Sequence, residues 1–386
     1  MITPLWTAEA IRFGHDAESG ADIEQLTSEP VTSNNIYCEQ RYASADGARI
    51  AIARKPFGQP TEIWVCDLRS LKVCKAVVGN PLGANSPRNA IYYTATHGDK
   101  TCLMRLDLTD LTSREMFRFY DNEPPSYGAV SSDERWFITG PVPVKDNIFS
   151  LRRVDLASGK ANTLCEIEDM FNPHIQFEPV QGRLSVVQIN RGGQWNPVAG
   201  VQVLTGPLGA TLSLVNVESG EVSPLPVGRP HTPSITGHEC WAGKSGKLLF
   251  TAGHFKVSSS SYVTLKDASE SGGEGPTIYS VTPGEKTARI IAQGLMFNHV
   301  AASDDGQFFI ADDHSVGRVY IGNIATGKYL PLCETHTRQG KPQYSHAHAY
   351  MTPDNRHVIF NSIVTGTAQV YAACIPDGFL DKVMKQ

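Results

Sequence analysis

Along most of this chain apolar residues alternate with polar ones in short runs that break at polar turns, and a period of two is the mark of strands half-buried in sheets. One kind of run leads into a turn of the type Asp-Leu-x-Ser-Gly-Lys. It occurs as EIWVCDLRSLKVCKAVV (62–78), LMRLDLTDLTSREMF (103–117), LRRVDLASGKANTL (151–164), LSLVNVESGEVSPL (212–225), IYSVTPGEKTARII (278–291), VYIGNIATGKYLPL (319–332) and, cut short, VYAACIPDG (370–378). A second kind precedes it as strand, turn, strand: ADGARIAIA (45–53), SSDERWFITG (131–140), KSGKLLFTA (244–252), SDDGQFFIA (303–311) and TPDNRHVIFNS (352–362), with weaker copies at 86–95 and 179–187.

Seven copies at intervals of roughly 40 to 65 residues, each long enough for four short strands, predict an all-β, seven-bladed β-propeller built as a single domain over 1–386. The shortened last copy predicts that an N-terminal strand, with EQLT at 24–27 as the candidate, is added to the last blade to close the ring. Only DGFLDKVMKQ at the C-terminus and the early TAEAIRF segment read as helical. The inserts at 191–210 and 254–276 fall inside blades and are expected to be surface loops overhanging one face.

Composition narrows the classes of function. With 34 Gly, 24 Pro and 19% charged residues the chain reads as a turn-rich globular protein. A formal charge of −5 without a basic run argues against nonspecific nucleic-acid binding. No apolar run is long enough to span a bilayer, and the start lacks the cationic and apolar regions of a secretory signal, so a cytoplasmic location is expected. Eight scattered cysteines without a Cys-x-x-Cys pair read as reduced core thiols. Nothing in the pattern fixes an oligomeric state.

The chemistry concentrates in KPQYSHAHAYMTPDNRHVI (341–359). In an extended strand, residues two apart share a face, so His346 and His348 aim at one point and Gln343 reaches it from upstream. An isolated His-x-His also describes a polar surface strand. Recurrence favours a site: His348 stands before Asp354 of TPDN as His299 stands before Asp305 of SDDG. In a propeller the strand before this turn lines the central channel, and the same register adds His174 and His238, with Tyr127 at a comparable place. His15, His97, His231, His254, His314, His336 and His357 lack this register and read as surface or structural.

Three imidazoles and an amide oxygen suit Mn²⁺, or another divalent transition metal such as Fe²⁺, Co²⁺, Ni²⁺ or Zn²⁺, better than Ca²⁺. An open metal beside a further histidine is a layout for Lewis-acid catalysis, with His238 as candidate base.

The motifs QLTS, YASADG, NPHIQFEP, RPHTPSITGHECW, FNHVAASDDG and QYSHAHAYMTPDNRHVIFNS, spread over most of the chain, resemble the oligogalacturonate lyases, seven-bladed propeller enzymes of pectin breakdown. The resemblance implies that His299, Gln343, His346 and His348 bind Mn²⁺, that His238 abstracts a proton, and that a short acidic oligosaccharide is cleaved by β-elimination. His174, Gln176, Tyr127 and Trp241 are then candidate substrate contacts. The family's catalytic arginine begins an Arg-Ile-Trp strand, and here the matching stretch is ATLSLVN with Thr211 at that place; Arg191 and Arg229 are the candidate substitutes. Two alternatives stay open: a lyase for another uronic-acid-containing oligosaccharide, and a non-catalytic propeller that binds metal and sugar acids.

Overall fold

In the computed structural model the described residues are 4–119, 125, 127–253, 277–313, 315–337 and 343–386, the side chain of Gln343 excepted. Among them lie seven sheets of four or five antiparallel strands, the blades of an all-β, seven-bladed propeller. One compact unit takes in 1–124 and 299–386, the other 125–298.

The second unit holds three blades, opened by the strands Tyr127–Val130, Gln176–Phe177 and Ile235–Trp241. Its cores are aliphatic and aromatic, with Phe149, Val187, Leu212, Leu248 and Phe250 buried. The first unit holds the blades opened by Thr32–Asn34 and Asn80–Asn85 and the two of the last quarter of the chain, around one core that includes Ile50, Ile91, Ile310, Ile359 and Tyr371.

The repeated turns explain the repeated sequence. In SADG, SSDE, SDDG and TPDN the first hydroxyl donates to the aspartate two residues on: Ser44 to Asp46 (2.7 Å), Ser131 to Asp133 (2.5 Å), Ser303 to Asp305 (2.5 Å) and Thr352 to Asp354 (2.7 Å). The same oxygen accepts the backbone N–H that starts the next strand, as from Arg49 (2.9 Å) and Trp136 (2.9 Å). In the second turn type an Asp or Asn accepts two successive N–H groups, as Asp155 does from Ala157 and Ser158 (both 3.0 Å) and Asn216 from Glu218 and Ser219 (both 3.0 Å). Short side chains that mimic backbone acceptors close such turns, which is why these residue types recur at fixed offsets. Gly47 is required at its turn: its φ is +69°, and a Cβ there would lie 2.3 Å from the Asp354 carboxylate.

These bonds favour the charged carboxylate. The Ser44 hydroxyl holds Asp46 below its ordinary value, and the Ser158 N–H does the same for Asp155. Groups with depressed folded-state pKa stabilise the fold above the unfolded value and cease to do so as pH falls through the folded one. The thermal midpoint is therefore expected to hold at neutral pH and to drop below about pH 4, where unfolded carboxylates protonate; a midpoint flat down to pH 2 would contradict the turn assignment.

The early segment departs from the helical expectation. Thr7–Ala8 pairs with Lys72–Val73, and Ile11–His15 pairs with Asp22–Gln25. Between them Glu9 forms a two-pronged buried ion pair with Arg54 (2.6 and 3.0 Å), whose guanidinium stacks 4.1 Å over Trp64. Sheet pairing and this anchor override local helix propensity. Asp22–Gln25 in turn pairs with Gln369–Cys374, so N-terminal strands stand in the sheet of the last repeat.

The C-terminal stretch is helical over Phe379–Lys385, burying Phe379 and Val383. The insert at 191–210 carries a small hairpin, Gln194–Asn196 with Gly200–Val203; the insert at 254–276 lies outside the described residues, as do His254 and His314. None of the eight cysteines is in a disulfide. Among the described residues no helix is long and apolar enough to cross a membrane.

Candidate functional site

In the first unit three histidines meet. His299 lies on Phe297–Ala302, while His346 and His348 precede the strand Tyr350–Met351. Their nearest ring nitrogens all fall within 4.8 Å of one another, and the ring centroids are 4.4 Å (His299–His348), 5.5 Å (His299–His346) and 5.7 Å (His346–His348) apart. His299 and His348 are 1% and 2% exposed. Asp312 fixes the first ring: one carboxylate oxygen accepts from the His299 backbone N–H (2.7 Å) and the other from Nδ1 (2.9 Å). With the Nδ1 proton directed at a carboxylate, Nε2 carries the lone pair, the arrangement by which outer carboxylates orient and strengthen histidine ligands. Two buried imidazoles and the half-buried His346, backed by one carboxylate, fit a borderline divalent cation.

The geometry behind this convergence differs from the strand expectation. Gln343–Ser345 is a single 3₁₀ turn, residues 346–349 belong to no strand, and His348 stands at φ +43°. The two rings converge because the backbone turns left-handed at His348, and the pleat of a strand plays no part. The Gln343 side chain lies outside the described residues. Tyr37, which the sequence reading passed over, packs its ring 4.5 Å from that of His348.

In the second unit the residues read from the repeat fall at the openings of blades: Tyr127 on Tyr127–Val130, His174 just before Gln176–Phe177, and His238 on Ile235–Trp241. The two histidines are held in the same tautomer, with the proton on Nδ1, but by different partners. Thr251 Oγ1 donates to the Asn298 carbonyl (2.7 Å), so it accepts from Thr236 Oγ1; that hydroxyl, its one proton used, accepts from His238 Nδ1 (2.9 Å). The lone pair of His238 is therefore on Nε2. At His174 the Asn172 amide Nδ2 donates to Nε2 (3.0 Å) and the Tyr127 hydroxyl donates to the same amide's oxygen, which directs the His174 lone pair at Asn172. A carboxylate oxygen of buried Glu239 lies within 4.8 Å of a His174 ring nitrogen.

Four of the expected site residues make hydrogen bonds within the protein. Gln176 and Trp241 are 3% and 6% exposed; the Gln176 amide donates to the Glu239 carbonyl (2.9 Å) and the Trp241 indole N–H to the Gln176 carbonyl (3.3 Å). Both tie neighbouring blades together. Arg191 places three donors on backbone carbonyls, Nε on Gly209 (3.0 Å), Nη1 on Arg229 (2.7 Å) and Nη2 on Leu208 (2.8 Å), so it staples the mid-chain insert. Burial, then the Arg229 charge, pull its pKa below the ordinary arginine value. Arg229 is exposed and donates Nη1 to the Pro207 carbonyl (2.8 Å). Thr211 begins Thr211–Asn216 and donates its hydroxyl to the Val227 carbonyl.

No family model matches the chain. It is 24% identical over 400 residues to an oligogalacturonate lyase of Dickeya dadantii, covering 94% of this chain and 95% of that protein. It is 25% identical over 409 residues to an oligogalacturonide lyase of Pectobacterium atrosepticum, with the same coverage. Among solved structures, an oligogalacturonate lyase in complex with manganese superposes with a TM-score of 0.70 at 19% identity, over 97% of this chain and 100% of that one. The resemblance carried by the motifs thus extends along nearly the whole chain, and the propeller fold is shared.

Proposed function

We propose that this protein is a metal-dependent lyase that cleaves short oligogalacturonides by β-elimination and releases 4,5-unsaturated uronates. The observation that carries the reading is the convergence of His299, His346 and His348, with Asp312 behind them. These histidines, with Gln343 as the fourth ligand that the family resemblance implies, would hold Mn²⁺. When bound, the ion supplies a Lewis acid that draws charge from the C6 carboxylate and so acidifies the proton on C5.

His238 is the base. Its Nε2 lone pair takes the C5 proton, the electron pair moves into the C4–C5 bond, and the C4–O bond breaks with the leaving sugar taking up a proton. The hydroxyl chain through Thr236 and Thr251 keeps Nδ1 protonated, which orients the lone pair before substrate arrives. His174 is the weaker candidate, because its lone pair already accepts from Asn172. Tyr127 and His174 would then contact the sugar, and the two units act as one propeller domain.

A second reading, in which the chain acts on another uronide or only binds sugar acids, is favoured by the cations: Thr211 stands where the family has its arginine, and Arg191 is engaged by three carbonyls. One assay separates the readings. With Mn²⁺ and di- or trigalacturonate, ultraviolet absorbance of an unsaturated uronate is expected to rise, to stop on chelation and to resume with added Mn²⁺. A rise confined to another uronide would move the substrate assignment. No rise with any uronide, in protein that holds Mn²⁺, would leave only the binding role.

A further inference from the structure

Ligand histidines on a strand are oriented by its ladder, but residues 346–349 have no ladder. Two asparagines take its place. Three successive carbonyls each accept a hydrogen bond: His346 from Asn361 Nδ2 (3.1 Å), Ala347 from the Asn361 backbone N–H (2.8 Å) and His348 from Asn35 Nδ2 (2.7 Å). The two asparagines are locked to each other, since the Asn35 backbone N–H donates to Asn361 Oδ1 (2.8 Å), and both are fully buried.

The backbone on either side lies in unusual conformations. His348 stands at φ +43° and Ile36, next to Asn35, at φ +73°, a region that β-branched residues avoid. Such conformations persist only where the surroundings over-determine them. Here the Asn34 carboxamide oxygen holds the Ile36 N–H (3.0 Å), and Tyr37 packs against the His348 ring.

We propose that the Asn35–Asn361 amide pair is a positioning device that fixes the left-handed turn at His348 and thereby sets the metal affinity of His346 and His348. This rests on the reading of His299, His346 and His348 as ligands. Neither asparagine is among the ligands in that reading. Each acts on the main chain of the ligand segment, so that without the pair residues 346–349 relax toward extended backbone and the two imidazoles part.

The test titrates metal-free protein with Mn²⁺ by calorimetry and records the visible spectrum with Co²⁺, for the wild type, His346→Ala, Asn35→Ala and Asn361→Ser. The expected result is Mn²⁺ binding weakened about 10- to 100-fold in both asparagine variants, the loss typical of outer-shell partners, with a changed Co²⁺ spectrum and an unchanged far-ultraviolet circular dichroism spectrum. Folded variants whose Mn²⁺ affinity and Co²⁺ spectrum match the wild type would overturn the proposal. A variant that folds only when Mn²⁺ is added supports it, whereas one that stays unfolded with Mn²⁺ overturns it and marks the pair as purely structural. Equal Mn²⁺ binding by wild type and His346→Ala would instead remove the ligand reading.

Discussion

His346→Ala protein is expected to lose Mn²⁺ and turnover together. The ring it removes is one of three imidazoles whose nitrogens lie within 4.8 Å of one another, and two imidazoles make a far poorer site for a borderline cation. The loss should exceed the roughly 10- to 100-fold cost of removing an outer-shell partner, which is the scale expected for Asp312→Asn, where Nδ1 of His299 keeps an oxygen acceptor but faces no charge. Metal content after dialysis, measured beside activity, checks both. An alanine variant with full metal content and normal turnover would undo the ligand assignment, and equal effects of the two substitutions would place Asp312 among the ligands.

His238→Ala should separate what His346→Ala joins. Turnover is expected to fall by about 10²- to 10⁴-fold, the usual contribution of a positioned base, while Mn²⁺ binding stays at the wild-type level. Thr251→Val provides a finer test. It takes away the acceptor of the Thr236 hydroxyl, which can then donate to His238 Nδ1 and shift the ring to the tautomer with its proton on Nε2. The expected signature is a lower kcat with KM little changed, since the defect lies in proton transfer. Full activity of His238→Ala would remove it as the base. Unaltered kcat in Thr251→Val would show that the hydroxyl chain does not govern the tautomer.

Much of the fold was legible because several blades repeat their turn chemistry: a hydroxyl two residues before an aspartate, and an Asp or Asn ahead of two N–H groups, are local patterns that leave a local trace. The same register picked out His299 and His348, since both precede such turns. What could not be read arises from contacts distant in sequence. Asn35 acts on His348 across almost the whole chain, and Asp312 reaches His299 from the next strand. The left-handed turn at His348 has no signature in His-Ala-His, which looks like a strand. Arg191 and Arg229 carry the expected charge, and their bonds to the Gly209 and Pro207 carbonyls leave no trace in the local sequence. TAEAIRF failed for the opposite reason, its local preference being overruled by pairing partners far along the sequence.

The strand Asp22–Gln25, set in one sheet with Gln369–Cys374, also dictates an order of events during synthesis. Its residues leave the ribosome well before Gln369–Cys374, so Ile23 must wait for Ala373. Until that partner is made this strand has an open edge on the side where it will sit, the kind of exposed template that invites pairing with another nascent chain. Closing a contact over such a span carries the entropy of the whole intervening loop, so completion of this sheet belongs to the slow phase of folding. The hairpin with Ile11–His15 gives the waiting strand a neighbour on its other side from the start, leaving one edge rather than two to be guarded.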